Sequence, residues 1–235
     1  MYFLAATWGS LSQAWAVRRR RQTAVLSFHK SMILLNNDML LHEKLRDKTL
    51  ILASRSPRRH ELLRGTGLKF EVADGYDVEE VYPADVPVQE VSLYLARLKS
   101  EAYPKTLATN EILITADTVV VLGDEILGKP KDRDDAVSML ARLSGREHTV
   151  ITGVAVRDGG GKNAEMAVAT RVWFRELGRE EIEYYVDTFR PYDKAGAYGI
   201  QEWIGYIGIT GVEGSFYNVM GLPVQALCEM LKGFV

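Results

Sequence analysis

"LILASRSPRRHELLRGTG", Leu50 to Gly67, decides how the rest of the chain is read. A four-residue apolar run is followed by two serines and four arginines, and the pattern then turns helical. Ser56 is placed as an N-cap, Pro57 suits the first helical position, Leu62 and Leu63 face inward, and Gly65 and Gly67 end the helix. A strand running into a helix N-terminus is the opening unit of an α/β fold. In such sheets ligands sit beyond the carboxyl ends of strands, where first-turn N–H groups are unpaired. Cations are unfavourable in that first turn, because the helix already carries partial positive charge there. Arg58 and Arg59 together with Ser54 make sense if a polyanion offsets the repulsion; the alternative is an exposed basic helix start.

Working outward, "KFEVADG" reads as a second strand and "YDVEEVYPADVP" as an acidic loop carrying Asp77, Glu79 and Glu80. A long helical pattern runs from Pro87 to Pro104 and includes Lys99. "EILITADTVVVLGDEILGKP" reads as a strand, a polar break at Ala116 to Thr118, a second strand and a turn. A capped helix ("DRDDAVSMLARLSG") precedes a long hairpin, "EHTVITGVAVRDGGGKNAEMAVATRVWFREL". The helix "GREEIEYYVDTF", an irregular loop "RPYDKAGAYGIQ", a last strand, a further loop and a C-terminal helix complete the chain. Alternating strands and helices with one hairpin predict an α/β architecture on a twisted mixed sheet flanked by helices.

Bulk properties narrow the function. The 235 residues carry a net charge of −2, so no global basic field draws the chain to nucleic acid. No apolar stretch reaches the ~18 residues of a membrane span. The single cysteine, Cys228, cannot form an internal disulfide, which suits a cytoplasmic location. "MYFLAATWGSLSQAWAV" followed by "RRRRQ" reverses the charge order of a secretory signal. Residues 1–48 are set aside as an unassigned extension, poorly ordered or helical, and residues 49–235 as one domain. Met32 and Met39 are alternative starts.

Beyond the arginine turn, further constellations carry chemistry. Asp117, at the break between strands, can hold Mg²⁺ or orient water, or be an ordinary turn aspartate. Lys129 in "GKP" can act as a point charge on phosphate. In "PYDKAGAYGIQ", Asp193 and Lys194 lie among small residues, Tyr198 can stack or pack, and Gln201 can read the edge of a base. Glu80 beside Glu79 suits a metal-chelated phosphate or a solvated face, and Lys99 suits a phosphate role or an exposed helix position. No GxxxxGK sequence is present, so a Walker-type site is disfavoured.

"LASRSPRRHELL", "ITADTVV", "GKP", "LSGREHTVITGVAV", "PYDKAGAYGIQ" and "GSFYNVMGLP" occur in this order. They resemble the Maf family of nucleoside triphosphate pyrophosphatases, in the form of its dTTP/UTP branch, from about Leu50 to the C-terminus. The resemblance implies a twisted mixed sheet with a deep cleft, of the Maf and inosine triphosphate pyrophosphatase type. It implies cleavage between the α- and β-phosphates with a divalent metal, Mg²⁺ or Mn²⁺. Asp117 matches the catalytic acid; Arg58, Thr118 and Gln201 match positions of base choice. Ser54, Arg59, Lys99, Lys129, Asp193 and Lys194 match substrate-binding positions, and Glu80 with Asp117 the metal site. Glu202 departs from the family's usual glycine, which puts that loop in question. Other readings are the same chemistry on modified triphosphates such as 7-methyl-GTP, or a nucleotide-binding regulator of cell division without turnover. The expected partner is a small nucleoside triphosphate, with neither nucleic acid nor membrane; a homodimer is the assembly left open.

Overall fold

The computed structural model describes residues 39–235. The arginine run at residues 18–21, the apolar stretch before it and most of the expected extension lie outside the described residues. Residues 39–44 carry one helical turn, α1 (Leu41–Lys44), and lie outside the unit that begins at Leu45.

That unit is built on a seven-stranded mixed sheet. β1 (Thr49–Leu52) pairs in parallel with β2 (Phe70–Val72) on one side and β3 (Glu111–Leu122) on the other. β3, β5 (Glu147–Asp158), β6 (Asn163–Phe174) and β7 (Ile209–Glu213) continue antiparallel, and short β4 (Glu125–Leu127) folds back onto the end of β3. β1 is covered on both faces, which is why "LIL" is a continuous apolar run rather than an alternating one. The expected hairpin is β5–β6, its turn fixed by Asp158 Oδ1 accepting from the N–H groups of Gly160 and Lys162 at 2.9 Å.

Helices cover both faces. On one, α3 (Val91–Glu101) sets Val91 and Leu95 against Val119, Val121 and Ile151. On the other, α4 (Arg133–Leu143) and α5 (Arg179–Phe189) bury Leu140, Leu143, Ile182 and Val186 against Val120, Leu122, Val150 and Val172. Residues 119 to 122 therefore alternate between two cores, the period of two that a strand imposes. α2 (Pro57–Gly65) follows β1 as expected.

Four expectations change. β3 is one unbroken strand through Ala116–Thr118, because β5 pairs with it continuously from Ile112 to Val121. α3 starts at Val91, after a turn over residues 88–90, so Pro87 precedes the helix rather than opening it. Ser56 occupies the N-cap without capping through its side chain; its N–H instead donates to Ser54 Oγ at 3.2 Å. The stretch after "YGIQ" forms α6 (Trp203–Gly208), and "FYNVM" forms α7 (Phe216–Met220), ahead of the expected C-terminal helix α8 (Val224–Leu231). Both unexpected helices are too short to leave a clear 3.6-residue pattern. No helix among the described residues is long and apolar enough to cross a membrane.

Candidate functional site

The polar triplet in β3 marks a gap at the strand's edge. The ladder to β1 ends at Leu52–Ile114 and the ladder to β4 begins at Val120–Leu127, so residues 115–119 are paired on the β5 side alone. Side chains in the gap alternate between faces. Thr115 points to α3, donating to Ala96 O at 2.7 Å, and Asp117 lies on that same face. Thr118 lies on the opposite face, 3.0 Å from Thr152 Oγ1, whose hydroxyl donates to Asn218 O. A cavity of about 850 Å³ opens at this gap. It brings together the residues that the sequence assigns to catalysis, substrate and metal, while Glu79 and Glu202 do not line it. Ser54, Arg58 and Arg59 come from the β1–α2 turn, Glu80 from the acidic loop and Lys99 from α3. Asp117 and Thr118 come from β3, Lys129 from the turn after β4, and Asp193, Lys194 and Gln201 from the loop after α5.

At one wall Lys99 Nζ donates to Asp117 Oδ1 at 2.5 Å and lies 2.8 Å from Glu80 Oε1. Burial would raise the Glu80 pKa, but the hydrogen bond and charge of Lys99 outweigh it and the net shift is downward. Tyr76 Oη donates to the Lys99 carbonyl at 2.6 Å; burial, then Tyr103, pushes that phenol up to about 12 and keeps it a donor. α3 reaches this position because Gly153, opposite Asp117 on β5, has no side chain. A Cβ there would stand 2.3 Å from Ser92 O and 2.4 Å from the Leu93 backbone.

The floor is tied by Arg59. Its Nε donates to Gly221 O at 2.7 Å, Nη1 to Ala116 O at 2.8 Å and to Ser54 Oγ at 3.4 Å, and Nη2 to Thr118 Oγ1 at 3.0 Å. The Ala116 carbonyl is one that the gap in the sheet leaves without a strand partner, so the guanidinium replaces a missing ladder bond. Desolvation lowers the Arg59 pKa, and Asp117 partly offsets this.

At the other wall the charges cancel. Arg58 Nη1 donates to Asp193 Oδ2 at 2.6 Å, and Lys194 Nζ bridges Asp193 Oδ1 at 2.8 Å and Glu202 Oε1 at 3.1 Å. Burial alone would raise the Asp193 pKa; the bonds from Lys194 and Arg58 prevail and hold it at about 2. Lys129 differs: among the described residues no carboxylate lies within salt-bridge distance of it. Gln201 Oε1 is buried without a hydrogen-bond partner among the described residues.

Among the described residues no three His, Cys, Asp or Glu side chains are grouped to hold a metal unaided. Asp117 and Glu80 are two hard oxygen donors already sharing one cation, Lys99. That donor set fits Mg²⁺ or Mn²⁺, which commonly take one or two carboxylates and draw the remaining ligands from phosphate and water. Thr152, Asn218, Tyr76 and Tyr185 carry structural roles that the sequence reading passed over. Thr152 alone left a signal, a hydroxyl inside the apolar run "VITGVAV".

A family model described as Maf-like protein matches residues 49–234. A dTTP/UTP pyrophosphatase of Parabacteroides distasonis is 52% identical over 192 residues, covering 82% of this chain and 99% of that protein. Another of that name, from Phocaeicola vulgatus, is 51% identical over 190 residues, covering 81% and 98%. Among solved structures, the Staphylococcus aureus Ham1 protein gives a TM-score of 0.47 at 18% identity, over 80% of this chain and 100% of that one.

Proposed function

This chain belongs to the Maf-like protein family, and we infer that it hydrolyses nucleoside triphosphates between the α- and β-phosphates, with dTTP and UTP as preferred substrates. Relatives about half identical over nearly their whole length bear the name dTTP/UTP pyrophosphatase. The observation that carries the reading is the convergence on one cavity of a strand-edge carboxylate, Asp117, with a helix N-terminus and Lys129.

In this reading the triphosphate lies against the first turn of α2 and Lys129. The unpaired N–H groups of that turn and the lysine's point charge suit phosphate oxygens. Arg58 and Lys194 share Asp193 and contribute directed donors rather than net charge. Gln201, which lines the cavity, meets the base: its amide oxygen can accept from the N3–H of thymine or uracil, and its N–H₂ can donate to a ring carbonyl. Cytosine would set a lone pair against that oxygen instead.

Asp117 accepts the proton of a water molecule, with Lys99 fixing the carboxylate through Oδ1. The water oxygen bonds to the α-phosphorus, the Pα–O–Pβ bridge breaks, and the electron pair leaves on pyrophosphate. The products are the nucleoside monophosphate and pyrophosphate, and Asp117 returns its proton to solvent. Asp117 and Glu80 would hold a divalent cation, which supplies charge neutralisation at the phosphates. The protein's own share is alignment and fixed charge.

The test is pyrophosphate release from dTTP, UTP, CTP and 7-methyl-GTP with Mg²⁺ or Mn²⁺, by the wild-type protein and Asp117→Asn. Turnover should favour dTTP and UTP and fall at least ~100-fold in the variant, the size of effect of an acid–base group. Undiminished release by Asp117→Asn would remove that residue from the mechanism. Binding of dTTP without any release would make the chain a nucleotide-binding regulator.

A further inference from the structure

Glu202 and Tyr185 have no part in the steps above, and neither lines the cavity. Tyr185 belongs to the buried face of α5 with Ile182 and Val186 and is fully covered, its ring stacked 5.1 Å from that of Phe189. Its hydroxyl donates to Glu202 Oε2 and accepts from the Gly199 N–H at 3.0 Å. Desolvation, then the bond to Glu202, drives the phenol's pKa upward, so it stays protonated. Glu202 Oε1 completes the contact with Lys194 Nζ at 3.1 Å.

The carboxylate also lies against the bare Cα of Gly199, where a Cβ would come within 2.8 Å of Glu202 Cδ. The Glu202 N–H donates to Gly199 O at 3.0 Å, closing a turn over residues 199–202. Gln201 sits inside that turn. The backbone is thus held on both sides of Gln201: at Gly199 by the tyrosine hydroxyl, and at Glu202 by that same hydroxyl and by Lys194.

We propose that Glu202 and Tyr185 are positioning residues that hold the Gly199–Glu202 turn, and through Gln201 set the preference for thymine and uracil bases. The proposal rests on the reading of Gln201 as the base contact. A turn of this kind, loosened, would let the Gln201 amide sample several placements, and a hydrogen-bonding site rejects wrong partners only when its polar groups are fixed. The four charges of Arg58, Lys194, Asp193 and Glu202 balance, so Glu202 also keeps a buried ammonium from standing with too few partners.

The experiment compares kcat and KM for dTTP and CTP in Tyr185→Phe, Glu202→Gln, their double variant and Gln201→Ala, with a thermal melt of each. Both single substitutions keep shape and replace no cavity-lining residue. Each should raise KM for dTTP about tenfold, the usual size for removing the partner that orients a functional group, with kcat changed less than about threefold. The dTTP/CTP ratio of kcat/KM should fall about tenfold, and the double variant should lose no more than the worse single, because both act through one link. Gln201→Ala should collapse the ratio. If Gln201→Ala does so while Tyr185→Phe and Glu202→Gln keep the ratio and lower only the melting temperature, the two residues are merely structural and the proposal falls. If Gln201→Ala itself leaves the ratio intact, the base contact has been misassigned and the proposal falls with it.

Discussion

Replacing Lys99 by methionine keeps most of the side-chain stem and removes the ammonium that Asp117 and Glu80 share at 2.5 and 2.8 Å. The Asp117 side chain is 10% exposed, so its carboxylate would be left desolvated and facing a second carboxylate. Breaking a buried ion pair from one side costs ~3–5 kcal/mol. Glu80 is 43% exposed and its share is screened by solvent, which places the expected loss at the low end, about 3 kcal/mol. For a domain of this size that is a fall of about 6–12 °C in melting temperature. Urea unfolding of Lys99→Met, Asp117→Asn and the double variant checks the cause as well as the size. In the Asp117→Asn background no charge is stranded at position 117, and Lys99→Met should cost only about 1 kcal/mol. Equal costs in both backgrounds would refute the coupling between Lys99 and Asp117.

Two other consequences are open to measurement. His148 is buried, with Nδ1 unpartnered among the described residues and Nε2 2.7 Å from Tyr198 Oη, and burial pushes its pKa from 6.5 down to about 4. The unfolded chain therefore takes up this proton first, so the stability it secures is full above pH 6.5 and is lost as pH falls toward 4. At about 1.4 kcal/mol per pKa unit this amounts to about 3 kcal/mol, and His148→Gln should flatten the pH dependence of unfolding across that window; an unchanged slope would refute it. Gly153→Ala drives a methyl into the backbone of α3 and should cost ~1–3 kcal/mol while displacing Lys99 from Asp117. Retention of both the wild-type melting temperature and turnover would show that α3 is not seated there.

The run "LILASRSPRR" is legible because strand and first-turn proline each have local causes, though the Ser56 side-chain cap is not made, and the helices "DRDDAVSMLARLSG" and "GREEIEYYVDTF" carry their own periodicity. The polar triplet at Ala116–Thr118 was misread as a break for a tertiary reason. It marks where the partners on one side of β3 change, and strand pairing is invisible to a single segment. Asp117 and Thr118 could be picked out, but that they serve opposite faces of one strand depends on β3 being continuous. Tyr185 shows the same limit. Its spacing from Ile182 predicts burial, and its neighbour Tyr184 is exposed, yet nothing local connects its hydroxyl with Glu202. Gly153 reads as a weak point in a strand until α3 is laid across it.

Hydrolysis of dTTP in ¹⁸O-enriched water reads out which phosphorus is attacked, and with it the arrangement of the whole cleft. With Asp117 directing water at the α-phosphorus, the label enters the thymidine monophosphate and the pyrophosphate stays unlabelled. Label in the pyrophosphate, or release of inorganic phosphate in its place, would contradict the account.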